Sequence, residues 1–238
     1  LGNILDFDNL TEDNIYVLES PILTNSQFKK FKSIFKSKVR VIDCTFDINF
    51  SLKDRIEEIR DEAETAVREG SNNLILSDKK INTSRASIPS VLAVGAVHSH
   101  LVKLGLRGYC SINVESSDTL DTHSFAVLIG VGATTVNPYL AIDSIYERYQ
   151  KKLFNNADFE TCVAKFKKSI DDGLLKIMSK MGISVISSYR GGCNFEAVGL
   201  SRAIAADYFP GMSSRISGIG IAGIEKKIKE HHKKFISN

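Results

Sequence analysis

The sequence predicts an α/β protein in which a mostly parallel sheet is covered by crossover helices. From Val39 onward, short β-branched runs alternate with longer stretches of helical period, which is the pattern of strand–helix–strand units. The apolar runs are bounded by polar or glycine positions, as expected when both faces of a sheet are buried. Strands are predicted at 39–46, 73–77, 110–115, 134–137 and 183–188.

Helical spacing of apolar residues predicts the covering helices. One stripe consists of Leu52, Ile56, Ile59, Ala63 and Val67, and Gly70 then ends that helix. Further helices are predicted from about 87 to 104, from 125 to 129, and along an apolar stripe from 159 to 177. The unit at 111–137 reads as strand, acidic turn, helix and Gly-Ala before the next strand. This order favours a partial or degenerate (β/α) barrel, although open sheets use it too.

Three parts of the chain differ in pattern. Residues 1–38 lack a strand of this kind and are predicted to be a connecting segment with one short helix. Residues 39–220 form the predicted α/β core, and residues 221–238 a basic amphipathic helix. Because a strand is predicted to follow the 159–177 helix, we expect burial of Met178, Met181, Ile183 and Val185.

Composition limits the classes of function. The 238 residues are 43% hydrophobic and 25% charged, as in a soluble globular domain, and the net charge of +3 gives no reason to expect a nucleic-acid partner. The apolar runs are shorter than the roughly 20 residues that span a bilayer. Because the four cysteines (Cys44, Cys110, Cys162, Cys193) form no Cys-x-x-Cys pair, we expect no metal or redox site and a reducing, cytoplasmic location.

A glycine motif stands before the last predicted helix, at Gly218, Gly220 and Gly223. A dinucleotide site also needs a preceding buried strand and an acidic residue about 20 positions later. The preceding residues 210–217 are rich in turn formers, so we expect a tight helix entry. A phosphate-binding nest that uses Arg215 is the alternative.

Other polar groups have ordinary interpretations. His98 and His100 are two apart on a predicted helix and point to different sides, so they are not expected to share a metal ion. The adjacent His231 and His232, with the lysines of that helix, are expected to be solvated. Glu115, Asp118 and Asp121 follow one strand, where barrel enzymes place their chemistry, but no fixed partner supports paired-carboxylate catalysis.

One part of the sequence is far more specific than these motifs. Residues 173–184, Ser188-Tyr-Arg-Gly191 and 194–200 closely resemble the end of the central domain of glutamate synthase large subunits. Glu19-Ser-Pro-Ile-Leu23, 92–107 and Asn137-Pro-Tyr-Leu140 agree with that family in the same order. Many relatives carry Gly-Ala-Gln after the Tyr-Arg pair, whereas this chain has Gly191-Gly192-Cys193.

The resemblance implies an internal, non-catalytic segment of an oxidoreductase that makes glutamate from glutamine and 2-oxoglutarate. The segment would link an amidotransferase domain to an FMN domain and help to enclose the route of ammonia. FMN and an iron–sulfur cluster are expected elsewhere in the full-length enzyme, and a small reductase subunit is a further partner. No catalytic, cofactor-binding or metal-ligating residue is carried over to this chain. A self-contained flavin- or phosphate-binding β/α enzyme is the alternative, and an interaction module built on the basic helix is a third interpretation.

The candidate inter-domain loop consists of Ser188, Tyr189, Arg190, Gly191 and Gly192. We expect it at the carboxyl end of a parallel strand, where α/β folds place the loops that meet ligands or other domains. Arg190 offers five donors in a fixed geometry, which suit a carboxylate or a carbonyl. An ordinary strand-to-helix turn with Arg190 in solvent is the alternative.

Overall fold

The computed structural model describes residues 16–236, except 156 and 193. Within these residues the strands are β1 (Val39–Asp43), β2 (Thr45–Asp47), β3 (Asn73–Ser77), β4 (Arg85–Ser87), β5 (Ser111–Glu115), β6 (Thr135–Asn137), β7 (Glu196–Leu200) and β8 (Ser213–Ile219). The α-helices are α1 (Asn25–Phe35), α2 (Leu52–Arg68), α3 (Ser90–Lys103), α4 (Thr122–Gly130), α5 (Tyr139–Gln150), α6 (Phe159–Lys180), α7 (Ile186–Tyr189), α8 (Arg202–Tyr208) and α9 (Ile221–Ile236).

The main sheet has four parallel strands in the order β1-β3-β5-β6. Helices α2, α3 and α4 connect each strand to the next, so the predicted α/β class with crossover helices is confirmed. Neighbouring strands follow chain order, as consecutive strands of a β/α barrel do, and four is half of the eight in a complete barrel. The predicted strand at 39–46 is divided in two at Cys44, and its second half pairs with β4 instead.

The predicted stripe on α2 forms part of the core. Leu52, Ile56, Ile59 and Ala63 are fully buried, and Ser51 begins the helix by accepting a hydrogen bond from the Asp54 amide. Gly70 follows the helix with φ of +91°, a conformation that glycine adopts without steric cost. The sequence pattern therefore predicted both the buried face and the end of this helix.

The segment before β1 contacts the sheet. Ile22 pairs with Val136 as a parallel bridge beside β6, and both side chains are buried. Phe28 and Phe31 of α1 form a second apolar cluster with Leu23 and Ile75. The predicted helix of this segment is present and covers part of the sheet face.

The prediction of a strand at 183–188 is wrong. Gly182 ends α6 with φ of +68°, and the chain then forms the single turn of α7. Met178 is buried as expected, but Met181 is 41% and Val185 53% exposed, while Ile183 is only partly buried. A short apolar run fits a strand and a helix equally well in sequence, and here Tyr189 is the residue that enters the core.

The carboxy-terminal part forms a separate β–α–β unit. Strands β7 and β8 are parallel and flank α8, and α9 follows directly and packs against α2, β4 and β8. Of the segment 210–217, which was expected to be rich in turns, residues 210 and 211 form a turn, but β8 occupies the part from residue 213 onward. Its residues are mostly exposed and polar, so they lack the apolar run that marks a buried strand. No helix in the described part of the chain is both long and apolar enough to cross a membrane.

Candidate functional site

The carboxyl edge of the main sheet carries a buried carboxylate with a full set of partners. Glu115, at the end of β5, is 3% exposed. It accepts a hydrogen bond of 2.6 Å from Ser77 Oγ and pairs with Lys79 at 2.9 Å and Lys32 at 3.1 Å. Burial acts to raise the pKa of Glu115, but these hydrogen bonds and the lysine charges outweigh it and lower the pKa. Glu115 is therefore ionised, and its contacts hold Ser77, Lys79 and Lys32 together.

A second carboxylate, Asp78, follows β3 at the same edge. Its Oδ2 accepts hydrogen bonds from Ser87 Oγ, the Ser117 amide and Ser117 Oγ. Burial raises the pKa of Asp78, and the bonds from Ser117 oppose the increase. Burial and the charge of Asp78 also raise the pKa of Tyr139. The sequence analysis did not select Asp78, because a lone Asp after a strand carries no distinguishing pattern.

The other acidic candidates of this edge are helix caps. Asp118 accepts a hydrogen bond from the Ser90 amide at the start of α3, and Asp121 accepts one from the Ser124 amide at the start of α4. Both use their oxygens to satisfy backbone N–H groups. Glu115, Asp118 and Asp121 thus have separate local roles.

The two histidines of α3 have different partners. His100 Nε2 lies 3.0 Å from Glu64 on α2. His98 Nδ1 accepts a hydrogen bond of 3.1 Å from Arg107 Nε, which places the proton of the neutral ring on Nε2. Burial, with the charges of Arg107 and Arg190, lowers the pKa of His98 to about 4. The geometric prediction that the two rings face different groups is confirmed.

Arg107 connects several elements at the amino edge of the sheet. Besides His98, its guanidinium donates to the carbonyls of Cys110 and Gly132, which precede β5 and β6. Gly132 has φ of +129°, and an added Cβ there would lie 2.4 Å from the His98 ring. The His98 ring can therefore occupy its position only because residue 132 has no side chain.

The candidate loop 188–192 lies at this amino edge, and the expected position at the carboxyl end of a strand is wrong. The Gly191 amide donates a hydrogen bond of 2.8 Å to the carbonyl of Gly130, at the end of α4. A Cβ on Gly191 would lie 3.5 Å from His98 Nε2. Because 183–188 is no strand, the loop follows α7 and rests on the ends of α3 and α4.

The side chains of this loop present donors without acceptors. Tyr189 is 1% exposed, and its hydroxyl has no hydrogen-bond partner within the described part of the chain. Arg190 Nε and Asn194 Nδ2 are also buried without a partner. Burial raises the pKa of Tyr189 and lowers that of Arg190. Ser188 is exposed, and Gly192 approaches Asn194 so closely that a Cβ would lie 2.6 Å from its Nδ2.

A small pocket opens beside the loop. It has a volume of about 190 Å³ and is lined by His98, Gly191, Val131, Phe209 and Met212, among others. Its walls are mostly apolar, and His98, Ser99 and Tyr208 are the lining residues that have polar side chains. The sequence analysis selected Arg190 and Gly191 but did not connect them with His98 and Arg107.

The glycine motif packs tightly against backbone. A Cβ on Gly218 would lie 2.0 Å from the carbonyl oxygen of Gly199, so β7 and β8 can approach here only because residue 218 is glycine. Arg215 is exposed and its Nε lies 3.6 Å from Glu196. Close packing explains the glycine at position 218, and Arg215 lies near an acidic side chain, so neither residue requires a bound phosphate as its explanation.

The basic helix α9 is held against the core by some of its polar groups. Lys229 donates to Glu225 and to the carbonyl of Phe50, and the Leu52 amide donates to Glu225. His232 is 7% exposed and its ring lies 3.3 Å from the Thr83 carbonyl oxygen. The expectation of solvated histidines is therefore wrong for His232.

The described residues do not fit an iron–sulfur cluster or another metal. Among residues 16–236, apart from 156 and 193, no three His, Cys, Asp or Glu side chains gather as metal ligands would. Cys44 and Cys110 are buried, and burial raises the pKa of both thiols, which disfavours the thiolate that binds metals. Cys193 lies outside the described residues.

Comparison with known proteins identifies the family. The profile of the glutamate synthase central domain matches residues 1–201. The chain is 54% identical over 235 residues to the glutamate synthase [NADPH] large chain of Azospirillum brasilense, covering 98% of this chain and 15% of the relative. It is 42% identical to the large chain of Bacillus subtilis, over 91% of this chain and 14% of the relative. It is 36% identical to the ferredoxin-dependent glutamate synthase of Pyropia yezoensis, over 99% of this chain and 16% of the relative.

These relatives agree with the resemblance carried by residues 173–200. The chain spans about one seventh of the length of the relatives it matches. The match runs through the main sheet and the candidate loop, so it includes every element that positions His98, Arg107 and Arg190. The chain therefore belongs to the glutamate synthase central domain family.

Proposed function

We propose that this chain is the internal, non-catalytic central domain of a cytoplasmic glutamate synthase. In the full-length enzyme it links the amidotransferase domain to the FMN domain and helps to enclose the route of ammonia between them. FMN and the iron–sulfur cluster are bound by other parts of that enzyme, and a small reductase subunit supplies electrons. The observation that carries the proposal is the identity to large chains along nearly the whole length of this segment.

The packing of the main sheet supports a mechanical role. Its central strand β3 is buried at all five positions, and its buried carboxylate Glu115 is saturated by structural partners. A rigid, dry core suits a wall that must exclude water from a neighbouring reaction. We assign residues 1–38 to the connection with the preceding domain, residues 39–220 to the core and residues 221–238 to a helix that leads toward the FMN domain.

We assign the loop of Ser188, Tyr189, Arg190, Gly191 and Gly192 to an inter-domain contact. Unpaired buried donors support this assignment, because an N–H or O–H group without an acceptor costs free energy unless another surface supplies one. The loop is anchored to α4 by the Gly191 amide, so its side chains have a fixed position.

The test is the coupling of the two half-reactions in the full-length enzyme. In the variant Arg190→Ala, glutamine hydrolysis should continue while glutamate formed per glutamine consumed falls and free ammonia appears. The matched control Arg202→Ala removes an exposed arginine of α8 and should keep the normal ratio. A normal ratio in both variants would overturn the assignment of the loop.

A further inference from the structure

The region around Arg190 has an excess of positive charge without an acidic group. Arg107 and Arg190 both act on His98 as repelling charges, and no acidic side chain contributes to the pKa of any of the three. Most other buried or half-buried arginines in the described chain have carboxylate partners: Arg55 pairs with Glu58, and Arg60 with Asp207. At the amino edge of the sheet, the positive charges of Arg107 and Arg190 are thus not balanced by a carboxylate of the described residues.

The hydrogen-bonding groups show the same imbalance. Three of the five N–H donors of Arg107 bond to two carbonyls and to His98 Nδ1. Arg190 Nε–H and the Tyr189 hydroxyl have no acceptor among the described residues, and Tyr189 is only 1% exposed. A ligand that satisfies these groups must bring acceptors and negative charge.

The pocket beside His98 limits what that ligand can be. A volume of about 190 Å³ admits a few heavy atoms, and walls of Val131, Phe209 and Met212 suit methylene groups. A planar guanidinium binds a carboxylate through two parallel hydrogen bonds, whereas a strongly hydrated phosphate gains little from apolar walls.

We propose that Arg190, next to the pocket that His98 and Gly191 line, forms a binding site for a carboxylate carried on a short methylene chain. In the full-length enzyme this group is an acidic side chain of an adjoining domain or a soluble dicarboxylate. The first source rests on the proposed inter-domain position of the loop, whereas the site itself rests only on the contacts of this chain.

The experiment titrates the 238-residue chain with glutarate and, as the uncharged control, with glutaramide. Glutarate should raise the thermal midpoint and shift the NMR signals of the His98 ring, and glutaramide should do neither. In Arg190→Gln the apparent affinity for glutarate should fall at least about tenfold, and Arg202→Gln should bind as the unaltered chain does. Arg190→Lys, which keeps the charge but loses the planar fork, should bind with intermediate affinity.

The same titration of the full-length enzyme separates the two sources. Glutarate binding in the chain but not in the full-length enzyme means that an acidic side chain occupies the site, and binding in both means a soluble carboxylate. No Arg190-dependent response to glutarate, or an equal response to inorganic phosphate, overturns the proposal. If Arg190→Ala leaves the full-length enzyme coupled while glutarate still binds through Arg190, the proposed function fails and the site stands.

Discussion

The two edges of the main sheet differ in how their charges are balanced. At the carboxyl edge, Glu115 has two lysines and a serine, and Asp78 has three donors. At the amino edge, no acidic side chain among the described residues pairs with Arg190, and none of these residues supplies an acceptor to the buried Tyr189 hydroxyl. Parallel α/β sheets usually bind ligands at the carboxyl edge. In this chain the carboxylates of that edge accept hydrogen bonds from lysines, serines and a backbone amide, and Asp78 Oδ1 is the buried oxygen there that lacks a donor among the described residues, whereas the opposite edge holds buried donors.

This difference fits a domain that supports other domains. An edge with complete ion pairs gains nothing from an added ligand, because its polar groups would have to exchange existing hydrogen bonds. An edge with buried donors gains free energy when a neighbouring surface supplies acceptors. The comparison therefore directs attention to the loop of residues 188–192 and away from the position where a barrel enzyme carries its active site.

The largest expected effect breaks the satisfied edge. We predict that Glu115→Gln lowers the free energy of unfolding by about 1.5–3 kcal/mol, because it removes the charged acceptor of three hydrogen-bonding groups, while Lys32 and Lys79, 34% and 48% exposed, keep part of their hydration. Urea unfolding followed by circular dichroism measures the change. The control Glu147→Gln removes an exposed pair with Lys151 and should change stability by less than about 1 kcal/mol.

Equal effects of these two substitutions would contradict the comparison, since they would mean that burial does not strengthen the Glu115 contacts. A cost for Glu115→Gln within about 0.5 kcal/mol would mean that the two lysines are solvated well enough without it.

The second effect concerns the pH dependence of stability that His98 produces at the amino edge. The pKa of His98 is lowered to about 4, so the unfolded chain binds a proton that the folded chain does not take up between about pH 6.5 and pH 4. Stability from this group is complete above pH 6.5 and is lost as the pH falls toward 4. We predict that the stability advantage over His98→Gln shrinks by about 2 kcal/mol between pH 7 and pH 4.5.

Urea unfolding of both proteins at the two pH values measures this difference, and the subtraction removes the contribution of the other titrating groups. Gln at position 98 has an acceptor that can serve Arg107, so the substitution changes the titration with little loss of hydrogen bonding. A difference that stays constant with pH would show that His98 keeps an ordinary pKa.

Much of the fold could be predicted from the sequence because its signals are local. The run at 73–77 has the apolar centre Leu74-Ile75-Leu76 between two small polar residues, and the stripe of α2 repeats over about four turns. Such patterns have one physical interpretation, since each buries one surface against the sheet. The run at 183–188 has six residues and no period of its own, and β8 is exposed, so both were assigned wrongly.

Less of the candidate site could be predicted. The sequence indicated that Arg190 has donors to offer, but its neighbours His98 and Arg107 are more than 80 residues away in the chain. Only the packing of the loop after α7 against α3 and the end of α4 brings Arg190 close to the neutral His98 ring and to Arg107. Position at an edge depends on which elements pack, and the wrong assignment at 183–188 therefore moved the loop to the wrong edge.

The smallest expected effect tests the amino edge directly. We predict that Arg190→Gln changes the free energy of unfolding of the 238-residue chain by less than about 1 kcal/mol, because the guanidinium has no acidic partner to lose. The pKa of His98 should rise, since one of its two repelling charges is removed, but it should stay below its ordinary value because burial is the larger cause. NMR titration of the His98 ring measures the change, and Arg202→Gln should leave it unaltered. A loss of several kcal/mol in Arg190→Gln would mean that Arg190 holds this chain together, and the two edges would then be alike.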